Sequence, residues 1–403
     1  MAEEIPTIEN LLQMATDIYQ QEFDNTPDVA VCAPGRVNLI GEHTDYNDGF
    51  VLPMALPLVT LIVGSKISGY ESVVITTNRD VDSPRRVIIK MPDKRASISN
   101  CVPGIPKWAN YIKGVIVNYK GEAPTFQAVV ISSVPTGGGL SSSASLEVAT
   151  YTFLDALNGT NQILPRDKAL ACQKAENDFV GMPCGIMDQF ISFMGKEGNA
   201  LLIDCRTMAS TLIPFTDPNI VILITNSNVK HELTGSEYSN RKQQCIEAAK
   251  LLKKSSLRDA TDDDIQRLRA HKADRDFIKR TKHVISEIRR TNLAAQALKD
   301  RNYEKFGKLM TESHHSLRDY YEVSCPELDT LVELALEVKG VLGSRMTGGG
   351  FGGCTVTMVY EHAVDKLISY ITNNYERKAT FYICKPENGA QVLRLKPDEG
   401  HYY

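Results

Sequence analysis

The sequence lacks several features that mark nucleic-acid-binding and membrane-surface proteins. It contains one tryptophan in 403 residues, and its formal net charge is only −4. A charge this close to balance gives no general attraction to nucleic acid or to an anionic membrane, so neither is expected as a partner. A phosphate-binding protein of this charge must bind anions locally, through backbone amides, helix N-termini and a few placed cations.

Metal-binding cysteine patterns and long apolar runs are also missing. The nine cysteines are scattered, odd in number and without a Cys-x-x-Cys pair, which argues against a disulfide framework or a zinc site and favours a reducing compartment. The most apolar stretch, residues 51–64, contains two prolines and is too short to span a bilayer. The acidic first residues lack a signal-peptide core. We therefore expect a cytoplasmic protein.

The chain length suggests about two or three domains. Helices and strands alternate without a regular βαβ repeat, which favours an α+β fold. The predicted helices cover residues 7–23, 143–157, 166–180, 326–338 and 362–374, with several more between 227 and 322. The predicted strands cover residues 29–33, 50–64, 73–77, 86–90, 126–133, 219–225, 341–346, 354–360 and 379–384. Two prolines within residues 211–218 suggest a boundary there. The expected domains are residues 1–210 and 211–403.

A segment rich in glycine and serine, between a predicted strand and a predicted helix, is typical of a phosphate-binding loop. Glycines let the backbone turn tightly and approach a ligand, and the helix N-terminus offers unpaired N–H groups and a positive dipole end. The hydroxyls add donors and a possible Mg²⁺ ligand. No Walker A pattern is present, and a plain glycine turn with a serine N-cap is the alternative. The segment consists of Gly137, Gly138, Gly139, Leu140, Ser141, Ser142 and Ser143.

A second glycine cluster covers residues 348–353. Gly348, Gly350 and Gly353 satisfy the G-x-G-x-x-G spacing, but a strand is predicted to follow them, which argues against a dinucleotide site. Five glycines around Phe351 instead fit a tight loop that packs beside another ligand-bearing loop. A simple hairpin turn is the alternative.

Four charged or titratable side chains crowd into ten residues of a glycine-containing segment between two apolar strands. They are Arg36, Glu42, His43 and Asp45. Carboxylates and a histidine suit sugar hydroxyls, which need both donors and acceptors, and an arginine suits a phosphate or a carboxylate. A solvated loop is the alternative.

Three further residues carry weaker signals when each is taken alone. Glu176 lies on a predicted helix, where a glutamate is usually a surface carboxylate. Asp188 lies in a segment with glycine and proline, residues 181–189, that we interpret as a loop in which a carboxylate could be partly buried. Trp108 suits either the core or a purine-stacking position.

Taken together, these segments resemble the GHMP family of small-molecule kinases and, within it, the galactokinases. The resemblance spans nearly the whole chain, and three motifs in the same order are specific evidence. It implies two α+β domains with an active site in the cleft between them, and transfer of phosphate from ATP, with Mg²⁺, to the anomeric hydroxyl of galactose. The three motifs are residues 35–47, 135–144 and 348–354, and the stretch 182–189 also matches.

The resemblance also implies a role for each residue. Asp188 would be the catalytic carboxylate near the sugar O1, and Arg36 would stabilise the developing phosphate charge and keep Asp188 ionised. Residues 137–143 would wrap the nucleotide phosphates. Ser143 and Glu176 would hold Mg²⁺, and Trp108 would lie near the adenine. The residues expected to contact the sugar are Glu42, His43, Asp45, Gly185 and Tyr238.

Two alternatives stay open at this stage. A kinase for N-acetylgalactosamine shares the motifs, although residues 44–49 favour galactose. A catalytically silent sensor of sugar and ATP could keep the same pocket, although Arg36, Ser143, Glu176 and Asp188 are all present. The family suggests a monomer.

Overall fold

Three β-sheets and the helices around them build the α+β architecture that the sequence predicted. The computed structural model describes residues 1–92, 101–159, 162–229 and 234–395, with only the backbone described at 234–236. The helices are α1 (Ile8–Phe23), α2 (Ala109–Asn118), α3 (Ser142–Asn158), α4 (Pro165–Ala175), α5 (Met187–Met194), α6 (Thr234–Leu251), α7 (Asp262–Ala270), α8 (Arg275–Lys299), α9 (Tyr303–Ser316), α10 (Pro326–Leu336) and α11 (Val364–Asn374). The strands are β1 (Val29–Asn38), β2 (Phe50–Val51), β3 (Pro53–Lys66), β4 (Glu71–Thr76), β5 (Arg86–Lys90), β6 (Phe126–Ser132), β7 (Asn199–Asp204), β8 (Ala209–Pro214), β9 (Ile220–Asn226), β10 (Val341–Met346), β11 (Cys354–Tyr360), β12 (Thr380–Cys384) and β13 (Gln391–Leu393).

The N-terminal half is a six-stranded sheet, in the order β13-β1-β3-β6-β4-β5, with helices on both faces. Leu11 of α1 packs against Leu61 of β3 on one face, and Val148 of α3 belongs to the same cluster as Ile62 on the other. Because both faces are covered, β1 and β3 are almost continuously buried instead of alternating between apolar and polar side chains.

A register shift in this sheet lies next to the functional site. The pairing of β1 with β3 shifts register between Pro34 and Arg36, and the extra residues lie on β3, where the partners of these two residues are four positions apart. A Cβ atom at position 35 would lie 2.7 Å from the carbonyl oxygen of Leu140, so only glycine lets β1 approach the phosphate-loop segment this closely. Irregular pairing of this kind re-aims the side chains beside it, and Arg36 is the first residue paired after the shift.

The C-terminal half is built on a four-stranded sheet, in the order β10-β11-β9-β12. Successive side chains of β9 pack on opposite faces of the sheet, because side-chain direction alternates along a strand. Ile222 and Ile224 pack in a cluster with residues of α8 and α9, whereas Val221 and Leu223 pack in a cluster with residues of α10 and α11.

The two halves share an apolar core, and one strand from the C-terminal end of the described chain joins the N-terminal sheet. Val37 and Leu52 from the N-terminal half lie in one apolar cluster with Ile222 and Phe306 from the C-terminal half. The last described strand, β13, returns to pair with β1. The two-domain division near residue 210 stays a prediction. Among the described residues, no helix is long and apolar enough to cross a membrane.

Most predicted elements are confirmed, and two of the exceptions lie at the site. The interpretation of residues 181–189 as a loop is wrong at its end, because Asp188 lies in the first turn of α5. Burial of Phe190 and Ile191 stabilises this short helix, which the glycines before it obscured. The helix predicted over 166–180 ends as α4 at Ala175 and continues as one π-helical turn, Glu176–Val180. Helix α2 and strands β7, β8 and β13 were missed.

Candidate active site

A cleft lies where the phosphate loop, the segment 36–45, the second glycine loop and α5 meet, with a cavity volume of about 390 Å³. It gathers side chains that are far apart in the sequence. The predicted site residues that line it are Arg36, Glu42, His43, Asp45, Gly137, Gly139, Ser141, Ser142, Ser143, Glu176, Gly185, Asp188 and Tyr238.

An ion pair between Arg36 and Asp188 occupies the middle of the cleft. Arg36 donates from Nε to Oδ1 at 2.6 Å and from Nη2 to Oδ2 at 2.7 Å, so the pair is bidentate. The third nitrogen, Nη1, donates to the carbonyl oxygen of Gly139 at 2.7 Å, and the hydroxyl of Ser141 donates to Oδ2. Burial opposes the charge on Arg36, but the carboxylate of Asp188 outweighs it and raises the arginine pKa. The guanidinium therefore links the carboxylate to the phosphate loop.

The phosphate loop takes left-handed backbone conformations. Gly137 and Gly139 have φ angles of 70° and 76°, and Ser141 has a φ of 60° immediately before α3. Ser142 begins α3, so the unpaired N–H groups of that helix face the cleft beside the hydroxyls, as the sequence predicted.

The second glycine loop packs backbone to backbone against the phosphate loop. A Cβ atom at Gly348 would lie 3.0 Å from the carbonyl oxygen of Gly139, and one at Gly353 would lie 3.1 Å from that of Gly138. This contact confirms the tight-packing interpretation of residues 348–353. Gly138 and Leu140 do not line the cleft, and the Leu140 side chain lies in the apolar core.

Glu42 joins the N-terminal segment to the second glycine loop. Its side chain is buried, and Oε1 accepts from the backbone N–H of Gly348 at 2.8 Å and from the Thr347 hydroxyl at 3.0 Å. The buried guanidinium of Arg345 lies 3.5 Å from the same oxygen and partly compensates its charge.

His43 is held in a neutral form within an aromatic cluster. Nε2 lies 3.2 Å from the carbonyl oxygen of Gly349, which can only accept, so Nε2 carries the hydrogen and Nδ1 accepts from the Tyr46 hydroxyl at 2.7 Å. The Tyr46 hydroxyl in turn lies 2.8 Å from that of Tyr321. Burial is the main cause that lowers the pKa of His43 to about 3. Tyr238 packs against His43, with 5.4 Å between ring centroids.

Asp45 lies against Gly185 so closely that no side chain fits between them. A Cβ atom at position 185 would lie 1.9 Å from Oδ2 of Asp45. Burial, followed by the nearby charge of Asp188, raises the pKa of Asp45 to about 6. The backbone N–H of Tyr46 donates to Oδ1 at 2.9 Å. The site therefore holds a carboxylate that is costly to ionise and is exposed to the cleft.

Glu176 lies at the start of the π-helical turn and faces the serine-rich end of the phosphate loop. Glu176 is only 6% exposed, so it is not the surface carboxylate that a helical position would suggest. Burial and the charge of Asp188 raise its pKa to about 7, although hydrogen bonds from Ser143, Cys184 and Gln189 act in the opposite direction. π-turns are rare and often occur at functional sites.

A second hollow opens beside the cleft and shares five lining residues with it, namely Gly137, Ser142, Ser143, Glu176 and Met182. Its wall includes Trp108, whose indole N–H donates to the carbonyl oxygen of Pro84 at 3.1 Å. The ring therefore offers an apolar surface, and its N–H is already bonded. The other wall residues are Thr60, Thr76, Asn78, Val81, Tyr111, Val130, Ser132, Thr136, Leu146, Val180 and Gly181.

Several lining residues were absent from the sequence prediction. Thr347 adjoins the second glycine loop, and Met182 and Cys184 fall within a matching segment, so their neighbours could have signalled them. The packing of Tyr321 against His43 could not be predicted from the sequence. Tyr321 lies 275 residues after Tyr46, the neighbour of His43 to which it hydrogen-bonds.

Models of known protein families match the segments of the chain that contain these motifs. A model described as the galactokinase galactose-binding signature matches residues 17–66. Models of the GHMP kinase N-terminal domain and C-terminal region match residues 110–196 and 294–377.

Full-length relatives agree. The chain is 53% identical to the galactokinase of Homo sapiens over 391 residues, which are 97% of this chain and 98% of that protein. It is 41% identical to the galactokinase of Haemophilus influenzae, over 95% of this chain and 99% of that one. A crystal structure of Lactococcus lactis galactokinase complexed with galactose superposes with a TM-score of 0.87 at 32% identity, covering 95% of this chain and 100% of that one. This chain therefore belongs to the galactokinase family of the GHMP kinases.

Proposed function

We propose that the protein transfers the γ-phosphoryl group of ATP to O1 of α-D-galactose, giving galactose 1-phosphate and ADP. The observation that carries this proposal is the position of the Asp188 carboxylate. Arg36 and Ser141 hold it between the phosphate loop on one side and Glu42, His43 and Asp45 on the other. Full-length identity to galactokinases and the likeness to a galactokinase complexed with galactose support the choice of sugar.

Asp188 would accept a hydrogen bond, and finally the proton, from the anomeric hydroxyl as O1 forms its bond to phosphorus. The ADP oxygen leaves with the electrons of the broken P–O bond. Phosphoryl transfer depends mainly on positioning and on neutralising charge over the transferring group. Arg36 contacts both Asp188 and the carbonyl of Gly139, so its charge lies between the reacting oxygen and the nucleotide phosphates.

The phosphate loop would bind the nucleotide phosphates through residues 137–143, with the base in the hollow beside Trp108. Mg²⁺ fits the donors that lie there. Glu176 and the hydroxyl of Ser143 are hard oxygen donors at the rim shared by cleft and hollow. Two protein donors suit an ion that usually completes its coordination with phosphate oxygens and water. When bound, the ion supplies positive charge to the nucleotide phosphates.

The sugar would lie against Glu42, His43, Asp45, Gly185 and Tyr238. Because both ring nitrogens of His43 are already bonded, its ring would form part of the pocket wall and support Gly349. Asp45 would accept hydrogen bonds from sugar hydroxyls. A cytoplasmic monomer completes the proposal. None of the nine cysteines, all of which lie within the described residues, forms a disulfide bond, which is consistent with a reducing compartment.

A substrate panel tests the reaction. ADP release is measured with galactose, glucose and N-acetylgalactosamine, and galactose should give the highest kcat/KM. Asp188→Asn should lower kcat with galactose about 10²–10⁴-fold, the usual loss when a positioned acid–base group is removed. Asp178→Asn, at an exposed carboxylate on the neighbouring π-turn, is the control.

Preference for N-acetylgalactosamine would contradict the choice of sugar. Binding of galactose and ATP without ADP release would identify a sensor instead of an enzyme. Full activity in Asp188→Asn would contradict the role of that carboxylate.

Gly185→Ala should damage sugar binding selectively. The new methyl group must displace the Asp45 carboxylate, and overpacking of this kind costs about 1–3 kcal/mol. The KM for galactose should therefore rise about 5- to 150-fold, with little change in the KM for ATP. Gly104→Ala is the matched control, since its Cβ atom would meet only the end of the Lys113 side chain at 3.7 Å. An unchanged galactose KM in Gly185→Ala would place the sugar elsewhere.

Asp45→Asn should weaken galactose binding and stabilise the folded protein at high pH. The folded-state pKa of Asp45, about 6, is raised, so its stabilising contribution is complete below about 3.8 and is lost as pH rises through 6. The ligand-free variant, neutral at every pH, should therefore unfold at a higher temperature than the wild type at pH 8 and at nearly the same temperature at pH 4. Its galactose KM should rise.

Asp17→Asn, on the exposed face of α1, is the control for the charge change alone. A variant less stable than the wild type at pH 8 would show that the Asp45 carboxylate is favourable in the folded state.

A further inference from the structure

A buried amide and a buried carboxyl group lie behind Glu176. Gln189, on α5, and Glu147, on α3, are both 0% exposed. The Gln189 Nε2 group donates one hydrogen to Oε2 of Glu176 at 2.7 Å and the other to Oε2 of Glu147 at 2.9 Å. A single amide therefore uses both of its N–H bonds to connect two carboxyl groups.

This arrangement is costly for the fold. Oε1 of Gln189 and Oε1 of Glu147 are buried and have no hydrogen-bond partner within the described part of the chain. Burial, together with the charge of Glu176, raises the pKa of Glu147 well above its usual value. Leaving buried acceptors unpaired costs about 1–3 kcal/mol each, so apolar side chains would stabilise this region better. Buried polar groups with unmet bonds require an explanation other than stability.

The geometry suggests that explanation. One N–H of Gln189 reaches the oxygen of Glu176 that also accepts from the thiol of Cys184, at 3.4 Å. The amide orientation is fixed from the far side by Glu147, because only the NH₂ end can donate to both carboxyl groups. Side chains that hold a metal ligand from behind orient it for the ion.

We propose that Gln189, anchored by Glu147, is a positioning residue that orients the Glu176 carboxylate toward the divalent cation of the nucleotide. This inference rests on the proposed metal role of Glu176. Neither Gln189 nor Glu147 lines the cleft, so both act through Glu176 and have no contact with substrate.

Binding of Mn²⁺ to the full-length protein in the presence of ADP tests the inference directly, with free Mn²⁺ followed by electron paramagnetic resonance. Gln189→Met keeps the length of the side chain and removes both N–H donors. It should weaken Mn²⁺ binding about 10- to 100-fold, the usual loss when such a support is removed. The apparent KM for Mg²⁺ in turnover should rise in parallel, with an unchanged KM for galactose.

Gln173→Met is the matched control. The side chain of Gln173 donates to the carbonyl oxygen of Cys184 at 3.2 Å instead of to the Glu176 carboxylate, so this variant should bind Mn²⁺ normally. Glu147→Met should weaken Mn²⁺ binding, whereas Glu147→Gln should largely preserve it, since it retains an oxygen for the same N–H.

Wild-type Mn²⁺ affinity in folded Gln189→Met would overturn the inference. If Gln189→Met does not fold, Gln189→Asn replaces it. Its amide is withdrawn by one methylene from Glu176, so normal Mn²⁺ affinity in this variant would overturn the inference equally.

Glu176→Gln separates the two levels of the proposal. Unchanged Mn²⁺ affinity in Glu176→Gln would remove the metal role of Glu176 and the inference with it, and the substrate panel would judge phosphoryl transfer independently. Weak Mn²⁺ binding in Glu176→Gln combined with normal binding in Gln189→Met would leave the metal role intact and refute only the positioning role.

Discussion

The ion pair between Arg36 and Asp188 is the interaction on which the site depends. A carboxylate in a partly buried cleft needs compensation, and removing one partner of such a pair leaves an uncompensated charge. The bidentate contact, at 2.6 and 2.7 Å, provides that compensation and fixes the orientation of both groups. The register shift between β1 and β3, the start of α5 and the phosphate loop meet at this pair. One contact therefore holds together three segments that are distant in the sequence.

Close backbone approaches around the pair explain why the site is rich in glycine. Gly35 lets β1 reach the carbonyl of Leu140, and Gly348 lets the second glycine loop reach the carbonyl of Gly139. Glu42 then bonds to the N–H of Gly348. The residues proposed to hold the sugar and those proposed to hold phosphate are thus connected through a few rigid backbone contacts, which suits a reaction that depends on positioning.

The sequence predicted much of this arrangement because its motifs are local. Glycines next to serines before a helix indicate a phosphate loop, and clustered charges mark the segment from Arg36 to Asp45. Contacts between distant segments were not predictable. Glu147 resembles an ordinary helical glutamate, and only the tertiary structure brings it to Gln189. Asp188 was assigned to a loop because nearby glycine and proline residues hid a short helix that tertiary packing stabilises.

A double-mutant cycle on kcat tests most directly whether Arg36 and Asp188 act as one unit. Arg36→Lys keeps the charge but loses the bidentate geometry, and Asp188→Asn keeps the shape but loses the charge. Residues that act as a unit give strongly non-additive losses. The account predicts that the double variant is hardly slower than the slower single variant. Losses that multiply would show that the two residues contribute independently and would contradict the account.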